Sequence, residues 1–132
     1  MAELNRDDAQ QLIDIALAED VGAGDITSNW TVPEEKTATA HFVAKAIGVI
    51  AGLDIAEWVF NTVDGEVRFE SRAVDGDNVR PGDRIAVVTG SARALLTAER
   101  TALNFLQRMS GVASLTSRFV RLVAHTDVSI LD

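Results

Sequence analysis

Two adjacent charges, Glu99 and Arg100, sit inside a stretch that reads as one long helix over residues 92–109. On a wheel of 3.6 residues per turn, Leu95, Ala98, Ala102, Leu103, Phe105, Leu106 and Met109 form a wide apolar face. Glu99 falls within that face, one turn from both Leu95 and Leu103. A carboxylate placed among apolar neighbours needs a partner, because an unpaired buried charge is costly. Arg100 falls at the edge, one turn from Leu96 and Asn104. A guanidinium there suits bidentate capture of a carboxylate or phosphate. The wheel alone leaves two readings open: a structural ion pair on a core helix, or a cation presented to an anionic ligand.

Other candidates for chemistry are thinner. His41 and His125 lack metal-ligand spacing, and neither has a Ser or Cys motif nearby that suggests a triad. Gly22-Ala23-Gly24-Asp25 has no third glycine, no preceding strand and no P-loop lysine. It reads as a helix stop followed by a turn, with Asp25 and Thr27 bonding local amides. Residues 74–85, VDGDNVRPGDRI, resemble the turn of biotinyl and lipoyl carrier domains. That is the best non-enzymatic alternative, a carrier or binding module. No lysine lies between residues 46 and 132, so the attachment arm is absent. Shared turn geometry explains the likeness better.

The elements that must position Glu99 and Arg100 follow from periodicity. Ala9, Leu12, Ile13, Ala16 and Leu17 carry helix spacing over residues 7–19, with Asp7 and Gln10 in capping-box positions. Glycines 22 and 24 are expected to end that helix. Residues 37–46 alternate, with Ala38, Ala40, Phe42, Ala44 and Ala46 on one face, as in a half-buried strand. Residues 53–63 read as a short helix. Residues 66–70, Val79 and residues 85–88 supply further short strands, with Asp75-Gly76 and Pro81-Gly82 as turns. After the long helix, Ser110-Gly111 is placed to cap or kink it. Val112, Leu115, Thr116, Phe119, Leu122 and Val123 continue a helical stripe, and residues 128–131 read as a strand needing a partner.

The 132 residues carry a formal net charge of −8 and no cysteine. The acidic balance argues against a nucleic-acid surface. No apolar run is long enough to span a membrane. The N-terminus lacks a signal-peptide pattern, and without cysteine there is no disulfide framework. The expected location is the cytoplasm.

Three collinear segments carry a family resemblance. Residues 98–111, AERTALNFLQRMSG, resemble the AERTALNxLxxxSG helix of quinolinate phosphoribosyltransferases, also called nicotinate-nucleotide pyrophosphorylases (carboxylating). Residues 18–28, AEDVGAGDITS, are similar to the family's EDxGxGDxTS signature, and Ile130-Leu131-Asp132 to the start of its ILDTRKT strand. The resemblance implies an α+β fold. Residues 1–111 would form the family's N-terminal α/β sandwich, mostly antiparallel sheet with helices and barrel-sandwich-like. Residues 112–132 would begin a truncated α/β barrel. It implies an enzyme of NAD biosynthesis that turns quinolinate and phosphoribosyl pyrophosphate into nicotinate mononucleotide, pyrophosphate and CO2, with Mg2+. Most cations and all metal ligands would come from the barrel, so the 132 residues alone are expected to be inactive. Arg100 would bind quinolinate across the interface of a homodimer or larger homo-oligomer. Glu99 would act as its structural or supporting partner, and its removal should cost stability more than affinity. A homologue from molybdate-transport operons shares the architecture, and the Glu19-Asp20-x-Gly22-x-Gly24-Asp25 form fits the quinolinate branch better.

Overall fold

The computed structural model describes residues 3–131, with the backbone alone over residues 23–31. Helix α1 spans Arg6–Thr31. Its start is set by Asn5, whose side-chain oxygen accepts from the Asp7 N–H at 2.9 Å, as an N-cap residue does. Asp7 and Gln10 therefore form no capping box, and the Gln10 amide instead donates to Asp14 and Thr62. Ala9, Ile13 and Leu17, four residues apart, are the buried stripe of α1. Leu12 stays 61% exposed. The helix continues through Gly22 rather than stopping there. A glycine inside a helix costs about 1 kcal/mol relative to alanine and ends it only when a left-handed turn forms. Among the described residues that conformation occurs at Gly52, Gly76 and Gly82. Helix α1 also runs through Gly24 to Thr31, so the expected stop and turn do not form there, while the local side-chain bonds expected of Asp25 and Thr27 lie outside the described side chains.

Strand β1 (Thr37–Val43), β2 (Gly48–Val49), helix α2 (Leu53–Val63), β3 (Arg68–Ser71), β4 (Asn78–Val79), β5 (Arg84–Ser91) and helix α3 (Ala92–Val123) follow. The main sheet is antiparallel in the order β1-β5-β3, and β2 pairs with β4 separately. Phe42 and Ala44 are buried on the predicted inward face, with Ala38 and Ala40 half-buried beside them. Ala46 is exposed, because β1 has ended by then. Helices α2 and α3 cover the inward face. Phe42, Phe60 and Phe69 meet there with ring centroids 5.9–6.2 Å apart, within the range of favourable aromatic pairs.

Helix α3 runs unbroken through Ser110 and Gly111. A start of a new unit at residue 112 is thus not marked by a break in the chain's regular structure. Residues 128–131 pair with neither sheet. The strand expected there does not form within this chain, since a strand needs a ladder partner.

Candidate functional site

The N-terminal half of α3 places Glu99 and Arg100. Ser91 caps this helix, its hydroxyl facing the Ala94 N–H at 3.4 Å. Leu95, Ala98, Ala102 and Leu106 are buried against α2 and the sheet. The small alanines let the helices approach closely. Glu99 lies about a quarter-turn, and Arg100 about half a turn, from the direction of Ala98 and Ala102.

That geometry corrects the reading of Glu99. Its side chain is exposed, at the edge of the packed face rather than within it. The buried face is centred on the alanines, and Leu103 beside Glu99 is only half-buried. A solvated carboxylate needs no buried partner, so the core ion pair expected from the wheel is absent at Glu99. Arg100 does stand at the surface, with 78% of its side chain exposed. Its partner is Asp20 of α1: Arg100 Nη1 lies 3.4 Å from Asp20 Oδ1. The other oxygen, Oδ2, accepts from the Thr101 hydroxyl at 3.1 Å. Thr101 is 2% exposed, the one buried polar residue among those described.

Three depressions surround this part of α3. One of about 380 Å3 is lined by Leu96, Glu99, Arg100, Leu103, Asn104 and Gln107. A second, about 350 Å3, follows the α1/α3 seam past Glu19, Asp20, Thr101 and Arg108. The third and largest, about 590 Å3, lies between β1, β2 and α3 and is mostly apolar, with Glu99, Gln107 and Ser110 along its helical wall. Carboxylates border each of them. The cations on their walls are Arg100 in the first, Arg108 in the second and Lys45 in the largest. Among the described residues no group of three or more His, Cys, Asp or Glu side chains could hold a metal ion. No helix among them is long and apolar enough to cross a membrane.

Sequence reading missed Asp20, Thr101 and the serines beyond them. The Ser114 hydroxyl accepts from the Val49 N–H at 2.8 Å and donates to the Ser110 carbonyl at 2.7 Å. Ser110 accepts from the Ala51 N–H at 3.0 Å. Two serines one turn apart thus supply acceptors for an N–H of β2 and for one in the segment that follows it, since unpaired backbone N–H groups need acceptors. A side chain on Gly48 would meet Ser114 Oγ at 2.8 Å. The available signal was serine at i and i+4 on α3 opposite a Gly-x-x-x-Gly run. The carrier-like turns serve this same corner. Gly76 and Gly82 adopt left-handed φ, and the Asp75 carboxylate accepts from the Gly52 and Leu53 N–H groups at the start of α2.

Comparison with known proteins agrees with this architecture. Residues 25–110 match the family described as quinolinate phosphoribosyl transferase, N-terminal domain. A quinolinate phosphoribosyltransferase (decarboxylating) 1b of Nicotiana tabacum is 44% identical over 110 residues, 83% of this chain and 31% of that protein. A probable nicotinate-nucleotide pyrophosphorylase (carboxylating) of Bacillus subtilis is 36% identical over 129 residues, 98% of this chain and 44% of that protein. The crystal structure of NadC from Streptococcus pyogenes superposes with a TM-score of 0.89 at 37% identity, covering 96% of this chain and 45% of that one. The chain thus spans less than half the length of these relatives. With the family match extending over most of its length, the chain belongs to the quinolinate phosphoribosyltransferase family, in the region of its N-terminal domain.

Proposed function

We propose that the chain acts as the N-terminal domain of an enzyme that transfers a phosphoribosyl group to quinolinate in NAD biosynthesis. The ring nitrogen displaces pyrophosphate from the anomeric carbon of phosphoribosyl pyrophosphate, and the carboxyl group beside that nitrogen leaves as CO2. Both substrates are anionic, and their charges must be clamped while positive charge grows on the ribosyl ring. In this reading Arg100 supplies one clamp, to a quinolinate carboxylate held by a partner subunit of a homodimer or larger assembly. Cations and magnesium ligands come from a barrel beginning near residue 112, and the enzyme is cytoplasmic.

The observation that carries the role of Arg100 is its surface position. Its side chain is 78% exposed, and among the described residues its polar contact is Asp20, at 3.4 Å. Most of its five N–H donors remain free for a carboxylate. Charged hydrogen bonds of this kind contribute about 1.5–3 kcal/mol. In the complete enzyme, Arg100→Ala should weaken quinolinate binding about ten- to a hundredfold, with stability within about 0.5 kcal/mol of the parent. Calorimetric titration with quinolinate and thermal melts check both halves. Normal binding with an early melt makes Arg100 a structural residue instead.

A further inference from the structure

We infer that Asp20 is a positioning residue for Arg100, holding the guanidinium by one edge so that its remaining donors face the pyridine dicarboxylate. The inference rests on the substrate role proposed for Arg100.

The geometry has three parts. Thr101 is 2% exposed, and it follows Arg100 about 100° round the helix, toward the core-facing side. Its hydroxyl donates to Asp20 Oδ2 at 3.1 Å, which fixes the rotation of the carboxylate. The second oxygen, Oδ1, is thereby aimed at Arg100 Nη1, 3.4 Å away. Asp20 itself is sheltered, with 22% of its side chain exposed, whereas Arg100 is 78% exposed. A sheltered, hydrogen-bonded carboxylate is a fixed post, and the long arginine is the mobile member of the pair.

The contact is long for a charge-assisted hydrogen bond, for which about 2.7–2.9 Å is usual. It is also single rather than forked. It therefore restricts the arginine's rotamers without occupying the pair of parallel N–H groups that a carboxylate ligand needs. A substrate that arrives on a partner subunit meets a side chain already turned outward. Less ordering remains to be done on binding, which is the ordinary benefit of preorganisation. Glu99, exposed on the same turn, has no such bond among those found and could not serve as the post.

The test is steady-state kinetics of the complete enzyme with phosphoribosyl pyrophosphate saturating and quinolinate varied. Asp20→Asn keeps an acceptor for the Thr101 hydroxyl but removes the charge that holds Arg100. It should raise KM for quinolinate about fivefold, the scale of an exposed ion pair, with kcat and Tm unchanged. Asp20→Glu should restore part of the loss. In an Arg100→Ala background, Asp20→Asn should add nothing further. Thr101→Val frees the carboxylate to rotate and should raise KM by a smaller factor, and it keeps the test available should the Asp20 variant fail to fold. An unchanged or lowered KM in Asp20→Asn, alongside a raised KM in Arg100→Ala, overturns the positioning role and leaves the site standing. An Arg100→Ala enzyme with normal KM overturns both.

Discussion

Residues 92–110 of α3 bury Leu95, Ala98, Ala102 and Leu106 against α2 and the sheet, whereas residues 112–123 leave Val112 67%, Leu115 55% and Phe119 50% exposed. One helix thus carries one kind of apolar stripe through two environments. Fully burying such a side chain stabilises by about 1.5–3 kcal/mol relative to leaving it in water. The first half collects that stabilisation, and the second half does not within this chain. Apolar spacing says that a face wants cover. It does not say which surface supplies it.

The largest effect that separates the halves is cavity formation. Leu106 is 4% exposed, so Leu106→Ala removes packed atoms and leaves a void, at a cost of about 2–5 kcal/mol. Phe119→Ala, a bigger truncation on the bare half, should stay within about 0.5 kcal/mol. Denaturant unfolding of this chain at several concentrations measures both. A Phe119→Ala loss that grows with protein concentration would show that the bare half is covered by self-association, as exposed apolar patches favour.

The boundary between the halves gives a smaller effect. Ser114 is the last residue of α3 that holds the sheet side, through the Val49 N–H at 2.8 Å. Ser114→Ala leaves that part-buried N–H without its acceptor, at about 1–3 kcal/mol. The same substitution at Ser117, just under one turn farther along, should cost much less. Equal losses at the two serines would move the boundary toward the C-terminus. Hydrogen exchange at Val49 provides a second readout, with faster exchange expected in Ser114→Ala alone.

Local pattern explains what was legible. Helix α2 occupies residues 53–63 as read, because Ile55, Val59 and Phe60 carry helix spacing between Gly52 and the turn at Gly65. The inward face of β1 was visible as far as Ala44 in strict alternation. The resemblance in residues 98–111 falls at the C-terminal end of the family match over residues 25–110. What was not legible depends on tertiary partners. Gly22 looked like a stop, yet only a left-handed φ would have made it one. Residues 128–131 have strand chemistry and no ladder. Asp20 and Thr101 are 81 residues apart in sequence, and neither the spacing of α1 nor that of α3 alone brings them together.

The smallest expected effect concerns the edge of the packed half. The wheel set Glu99 between Leu95 and Leu103 and made it a buried partner whose loss is costly. The folded helix turns the face toward Ala98 and Ala102, both fully buried, and leaves Glu99 in solvent. A solvated carboxylate without a buried partner contributes little to stability, and alanine is the better helix former by a few tenths of a kcal/mol. Glu99→Ala should therefore change stability by no more than about 0.5 kcal/mol, in either direction. Paired thermal melts with Leu106→Ala on the same preparation set the scale. A loss approaching that of Leu106→Ala means that Glu99 is covered in solution, and that the packed face of α3 is wider than its alanine-centred stripe.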